Sequence, residues 1–357
     1  MSEENTNPSL IAITMGDPAG IGPEIIAKAW SQMALDDEHR FVVVGCGNCL
    51  RRAIRQLGLD LDVSDVDSPE HAREVNSTAI PCYSTGPAQA ADVVPGEIDA
   101  VAGRAAFEYL SAAIEATRAG QTDAIVTCPI HKTAMLQAGY NMPGHTEILA
   151  ERCGVSDFAM MLYIPAGQQV GAEIGLGVVH TTLHQSLRSA LDELSASGIL
   201  SKIKLAHEFA SASLQQLGMV RRPRIAVAAL NPHAGEAGHF GKEEIEIIAP
   251  AVELARNLDI DCRGPLPCDT LMGRAVAGEF DMVVAMYHDQ GHIALKLLGM
   301  HKAVNVTLGL PIIRTSVAHG TAFEIAGTGN ADCTSLLRAI DVAKRLVDQA
   351  AVRCSNQ

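Results

Sequence analysis

Residues 10–30 read LIAITMGDPAGIGPEIIAKAW, and how this stretch is parsed decides the fold. A short apolar run, LIAITM, ends in a turn with glycines at 16, 20 and 22, then passes into an amphipathic pattern that begins at Pro23. Proline suits the first turn of a helix, where its missing N–H is not needed, and Glu24 suits the positive end of the helix dipole. The stretch therefore reads as strand, tight turn, helix. The same alternation recurs in FVVVG before CLRRAIRQLG, in VAGRAAFEYLSAAIEATRAG before AIVTCPI, and in KIKLAHEFASASLQQLG before RIAVAAL. Short β-branched runs alternating with helical periods predict an α/β protein with mostly parallel strands. Over residues 201–218 the helical period puts Ile203, Ala206, Phe209, Ala210, Ser213, Leu214 and Leu217 on one stripe, which marks a scaffold helix. Residues 60–98 are polar, carry prolines and show little periodicity, so they are expected to form excursions at the edge of a lobe.

A chain of 357 residues with 48% hydrophobic content buries a large core, as one large domain or as two lobes with a cleft between them. The net charge of −14 and pI near 5.3 argue against nucleic acid or anionic lipid as partners, since both attract basic surfaces. No apolar run approaches the roughly 20 residues of a membrane helix. The start MSEENTNPSL has neither a basic region nor an apolar stretch, and nine cysteines in so long a chain do not suggest a secreted disulfide scaffold; a reducing cytoplasm is expected. Cys46 and Cys49 form a CxxC, but no second pair follows at zinc-ribbon spacing, so the pair reads as a coincidence in a strand-to-helix turn.

In open α/β sheets ligands bind beyond the carboxyl ends of strands, which directs attention to polar clusters that follow apolar runs. The turn at 14–25 admits close backbone approach to a ligand, yet it lacks the dinucleotide-fold spacing and the Walker lysine. PGHTEILAERCG (143–154) places His145 and Thr146 before a helix; Thr146 is a candidate N-cap, and His145 beside free amides is a candidate receptor for phosphate or carboxylate. GVVHTTLHQSLRSAL (177–191) holds His180 and His184, which share a face if the segment is a strand. NPHAGEAGHFGKEE (231–244) sets His233 at a strand end, with Glu236 and His239 read as solvated loop residues. DMVVAMYHDQGHIALK (281–296) aligns His288, His292 and Lys296 on one face if its second half is helical. HDQGH resembles a zinc-peptidase pair only loosely, because Asp289 replaces the glutamate and Gly291 weakens a helix, so a metallohydrolase stands as an alternative. His184, His233 and His288 come from different strand ends, the way a three-imidazole metal site with an open position is built. Asp269, in PLPCDTL, is a candidate to orient an imidazole or a metal-bound water, while Asn305 and Arg314 add a neutral donor and a fixed cation.

Taken together, MGDPAGIGPE, PGHTE, NPHAGE, HDQG and NVTLGLPIIRTSVAHGTAFEIAG resemble the 4-hydroxythreonine-4-phosphate dehydrogenase family, including its 4-phosphothreonate dehydrogenase branch, over about residues 10–350. The resemblance implies a divalent metal, zinc or another of Co, Mn, Ni and Mg, held by His184, His233 and His288 and shared across a homodimer; the frame TLHQSL favours His184 over His180. It implies substrate contacts from His145, Thr146, Lys296, Asn305 and Arg314, with Lys296 and Asp269 catalytic. The fold implied resembles that of isocitrate and isopropylmalate dehydrogenases: a discontinuous first α/β lobe, residues 1–146 with 309–357, and a dimerising second lobe, 147–308, with the site in the cleft. HGTAFEIAGTGNAD (319–332) resembles their adenosine-binding loop, with His319, Gly320, Thr321, Glu324 and Asp332 as cofactor contacts. NAD is expected rather than NADP, because no arginine cluster near Glu324 offers a partner for a 2′-phosphate. The implied activity is NAD- and metal-dependent oxidation, with decarboxylation, of a small 4-phosphorylated 3-hydroxy acid. The candidates are 4-phosphohydroxythreonine in pyridoxal phosphate biosynthesis and 4-phosphothreonate in threonate catabolism. His292 stands where the vitamin enzymes carry an apolar residue, and the phosphothreonate branch resembles the chain better there. Terephthalate dihydrodiol dehydrogenase resembles TLHQSLRSAL and HDQGHI even more, but lacks equivalents of His145 and Arg314. Beside that third relative, a zinc-dependent hydrolase and a non-catalytic two-lobed binding protein are the rival readings.

Overall fold

The run SLIAIT forms strand β1 (Ser9–Thr14), in which Leu10, Ile11 and Ala12 are fully buried. It is apolar on both sides because helices cover both faces of a parallel sheet. The structure is a computed structural model describing residues 8–33, 36, 38–76, 78–167, 169–299 and 302–355, so most of the segment MSEENTNPSL lies outside the described residues. The chain continues through α1 (Gly22–Gln32), β2 (His39–Gly45), α2 (Gly47–Leu57), β3 (Asp62–Val66), β4 (Ala79–Ser84), α3 (Ala100–Arg118), β5 (Ala124–Thr127), α4 (Lys132–Gln137) and α5 (His145–Cys153). It then runs through β6 (Ala159–Ile164), β7 (Leu176–His180), α6 (Leu187–Glu193), α7 (Ala196–Gln216), β8 (Ile225–Ala228), α8 (Ala249–Asn257), β9 (Cys262–Leu266), α9 (Cys268–Val276), β10 (Met282–Ala285), α10 (His288–Gly299) and β11 (Val304–Leu308). It closes with β12 (Ile313–Ser316) and α11 (Thr334–Ser355).

Two compact units result: residues 1–154 with 310–350, and residues 155–309 with 351–357. In the first, the strands lie in the order β3-β4-β2-β1-β5-β12, and every pairing is parallel. In the second, the order is β11-β6-β7-β10-β8-β9; β6 runs antiparallel to both neighbours and the remaining pairs are parallel. The α/β architecture with mostly parallel strands is thus as the alternation of runs and periods predicts.

Two expectations need correction. Residues 60–98 are not mere excursions: β3 and β4 extend the first sheet, and Ile80 and Cys82 of β4 are fully buried. A four-residue apolar core interrupted by Pro81 is too short a signal to read as a strand. The scaffold helix begins earlier than its period suggested, because the Ser195 hydroxyl accepts from the Gly198 amide and caps α7, while Leu217 lies past its end and is exposed. The CxxC spans the start of α2, with Cys46 at the N-cap and Cys49 buried, and all eight described cysteines are free thiols. The Cys49 thiol, as a hydrogen-bond partner, holds the Cys46 thiol down at about 6.

Candidate active-site residues

The glycine-rich turn after β1 owes its shape to Gly16. Its φ is +69°, and a Cβ there would stand 2.2 Å from the Pro129 carbonyl oxygen, so only glycine fits. The turn is also one half of a larger structure. The Ile21 amide donates to the Thr321 carbonyl at 3.1 Å, the Gly329 amide donates to Glu24 Oε2 at 3.1 Å, and Lys28 Nζ donates to the carbonyls of Gly329 and Ala331 at 2.7 and 2.6 Å. Residues 14–25 and 319–332, read separately in the sequence, are therefore one pair of interlocked loops. Within the second loop, Thr321 is buried, His319 Nδ1 donates to the Gly320 carbonyl at 3.0 Å, and Glu324 is exposed. Asp332 Oδ1 accepts from the Thr334 amide at 2.6 Å at the start of α11, so this side chain also caps a helix. Asp17 is a group the sequence reading passed over. Its carboxyl is fully buried, and burial pushes it up to about 7, against the hydrogen bond that Oδ1 accepts from the Ala19 amide at 2.9 Å. Its only sequence signal was its place between two turn-forming residues.

In the same unit, α5 begins at His145, with Gly144 as its N-cap. Thr146 is thus not the cap; it sits in the first turn, 4% exposed. Gly144 takes the capping place with an extended backbone, φ 177°, and without a side-chain cap hydrogen bond. Arg314, in the middle of β12, is 2% exposed, and its Nη2 donates to Thr127 Oγ1 at 2.7 Å. Thr127 in turn donates to Ser316 Oγ at 2.9 Å, which donates to the Thr127 carbonyl at 3.1 Å. Burial lowers Arg314 to about 9, opposed by the charge of Glu147. Burial and the Arg314 charge push His145 well below the usual histidine range, so its ring is neutral. Its buried Nε2 has no hydrogen-bond partner among the described residues. A guanidinium removed from water, a neutral imidazole and the amides of a helix start are each groups that suit an anion.

The second unit gathers histidines. β7 ends at His180, which is level with Ala285 on neighbouring β10, and α10 begins three residues later at His288. His184 lies past β7 in the loop before α6, so the two histidines of this segment do not share a strand face. The rings of His184 and His288 are 5.5 Å apart, and both line a pocket of about 470 Å³ with Tyr287 and Asp289. His288 Nδ1 donates to Asp289 Oδ1 at 2.7 Å, an arrangement that fixes the tautomer and leaves Nε2 to face a ligand. His292 stacks flat on His288, with centroids 3.7 Å apart and 13° between planes. The lone pairs of parallel rings run side by side and do not converge, so the zinc-hydrolase reading of HDQGH fails. Lys296, one turn further on, is partly exposed and close enough for its charge to act on His292.

His233 is placed differently. It opens a left-handed turn in which residues 233–237 all have φ between 46° and 78°. Such a conformation costs roughly 1–2 kcal/mol for each non-glycine residue. Glu244 holds the turn in place: buried, it accepts from the Leu230 and Asn231 amides at 2.8 and 2.6 Å and from Asn231 Nδ2 at 2.9 Å. His233 Nδ1 donates to Glu236 Oε1 at 3.0 Å, and both side chains are more than half exposed. Among the described residues no three His, Cys, Asp or Glu side chains of one chain are grouped to hold a metal. The structure thus joins His184 with His288 and leaves His233 apart from such a group. Asp269 is exposed in the first turn of α9, which packs beside the His233 turn. Asn305 is on β11, and its buried Oδ1 has no hydrogen-bond partner among the described residues.

Residues 37–343 match the family model described as pyridoxal phosphate biosynthetic protein PdxA. Over 340 residues, 94% of each chain, the sequence is 46% identical to a 4-hydroxythreonine-4-phosphate dehydrogenase of Beijerinckia indica. Over 348 residues it is 44% identical to a D-threonate 4-phosphate dehydrogenase of Cupriavidus necator, covering 96% of this chain and 98% of the relative. A crystal structure of 4-hydroxythreonine-4-phosphate dehydrogenase from Klebsiella pneumoniae superposes with a TM-score of 0.81 at 42% identity, covering 95% of this chain and 99% of that one. No helix among the described residues is long and apolar enough to cross a membrane.

Proposed function

Because the chain belongs to the pyridoxal phosphate biosynthetic protein PdxA family, we propose that it is an NAD- and divalent-metal-dependent dehydrogenase. It oxidises the C3 hydroxyl of a small 4-phosphorylated hydroxy acid, with loss of CO2, and works as a homodimer. The relatives' names support a dehydrogenase acting on a phosphorylated hydroxy acid. The observation that supports the reading on this chain is Arg314, a buried cation whose charge acts on the neutral His145 ring at the start of α5.

The donor set fits a divalent cation. His184 and His288 supply two imidazoles beside one pocket, and His233, which joins no such group among the described residues, is the ligand contributed by the second copy. Imidazole donors accept zinc, cobalt, manganese or nickel. Bound there, a cation would supply Lewis acidity to the substrate hydroxyl and to the negative charge that builds up on loss of CO2, and NAD would be the hydride acceptor. The chain's own groups do the rest. Arg314, Thr146 and His145 grip and orient the anionic end of the substrate. Asp289 keeps the proton of His288 on Nδ1. Lys296 neutralises the carboxylate before it leaves and hands on a proton at Nζ, and Asp269, on the helix beside the His233 turn, orients an imidazole. Asn305, with an unused buried oxygen, accepts from a substrate donor. The interlocked loops at 14–25 and 319–332 hold the adenosine half of NAD, where exposed Glu324 accepts from the ribose hydroxyls and His319, Gly320 and Thr321 line the way in.

The test is NADH formation with 4-phosphohydroxythreonine and with 4-phosphothreonate, before and after chelation. Turnover of at least one substrate, lost on chelation and restored by zinc, cobalt or manganese, is expected. No NADH with either substrate would overturn the proposal, and full activity after complete chelation would remove the metal from it.

A further inference from the structure

The proposed function leaves His180 and His292 without a role, yet they are the most deeply buried imidazoles around the pocket, at 1% and 8% exposed. His180 Nδ1 lies 3.2 Å from the Met160 carbonyl oxygen. A carbonyl only accepts, so the neutral ring keeps its proton on Nδ1 and presents Nε2 as an acceptor. His292 Nδ1 is 3.0 Å from that Nε2 and therefore donates to it. Burial keeps both rings neutral, lowering His180 to about 4 and His292 to about 2, the latter helped by the neighbouring His180, His288 and Lys296. The packing is close: a Cβ on Gly291 would stand 2.5 Å from His180 Nε2 and 2.7 Å from Val178 Cγ1. A glycine inside α10 costs about 1 kcal/mol of helix propensity, and it is needed here because the helix backbone rests against the His180 ring. From that fixed point His292 reaches over and lays its face on His288.

We propose that the His180–His292 pair is a positioning element for His288: the hydrogen bond sets the plane of His292, and that plane holds the stacked His288 ring in the rotamer that stands beside His184. The inference rests on the reading of His184 and His288 as cation ligands. A ring stacked at 3.7 Å cannot turn about χ2 without colliding with its neighbour, so His288 gives up less rotational freedom when it binds. Groups that orient metal-bound imidazoles typically contribute roughly 10–100-fold to affinity.

Cobalt(II) titration of the full-length protein, followed by visible absorption, tests this with His292→Leu and His292→Phe. Leucine removes the flat face, and phenylalanine keeps the face but not the N–H. The melting temperature of each metal-free variant shows that it is folded. The expected result is that Leu binds cobalt roughly 10–100-fold more weakly with a changed spectrum, and that Phe, which keeps the face but loses the bond that sets its plane, falls between Leu and wild type; Phe with wild-type affinity and spectrum would remove His180 from the proposal. Leu binding with wild-type affinity and spectrum would overturn the proposal. Equal loss in both variants would also overturn it, because the flat face laid on His288 would then contribute nothing. Wild type that takes up no cobalt would instead remove the metal site itself, a failure readable before any variant is made.

Discussion

Arg314 shows what a single buried charge implies. A guanidinium held away from water costs several kcal/mol unless an anion joins it; the charge of Glu147 already acts on Arg314, and a substrate anion adds to that. Arg314→Met is expected to lose about 2–5 kcal/mol in kcat/KM, which steady-state kinetics will show on protein whose thermal melt confirms that it is folded. His145 gives a pH signature at the same place. Its ring is neutral when free because burial and Arg314 suppress its charged form; a bound phosphate favours that form. Binding then takes up a proton, so KM is expected to rise with pH above the free value and to level off beyond the bound one. A KM independent of pH after correction for the substrate's own ionisation would refute the assignment. Both residues were legible in the sequence by type and context. Asp17 and Thr127 were not, since nothing local to them tells that one is sealed from water and the other sits under Arg314.

Elements carry their own electrostatics. Asp281, fully buried just before β10, accepts from Arg221 Nη1 and Nη2 at 2.7 and 2.9 Å, from Arg224 Nη2 at 3.0 Å and from the Arg224 amide at 2.8 Å. Burial alone would raise its carboxyl, but the hydrogen bonds from Arg221 and Arg224 outweigh it and leave the group below the ordinary aspartate range. A carboxyl lowered on folding stabilises the fold above its unfolded value, near 4, and that contribution disappears as the pH falls through the folded value. Asp281→Ala is expected to cost about 3 kcal/mol, the low end for breaking a buried pair because both arginines keep access to water. The deficit, measured by urea melts, should shrink as the pH drops below 4; a deficit unchanged at low pH would show that the ion pairs are not its source. Element types were largely readable from period and turn chemistry. The exceptions, β3 and β4 and the left-handed turn at 233–237, were opaque because each depends on distant partners: the strands on pairing with β2, the turn on Glu244.

For the whole molecule, the proposed sharing of His233 between copies makes a sharp prediction. His233→Ala and His288→Ala should each be inactive alone. Mixed and allowed to exchange subunits, half the dimers are hybrids in which one of two sites escapes both substitutions, so activity should return to about a quarter of wild type. No recovery, with exchange verified by mass, would mean that all three imidazoles come from one chain.

Read alone, the amino-acid order determined the α/β class, the strand ends where chemistry gathers and the family, because each is written in local periodicity or in contiguous motifs. Only the tertiary structure decided which histidine meets which. His180 pairs with His292 across 112 residues of sequence, His184 stands beside His288, and His233 joins no such group among the described residues. Periodicity says that a side chain is buried, but the direction of a ring nitrogen follows from which strands are neighbours and how closely a helix can approach them, and Gly291 sets that approach only once His180 is in place.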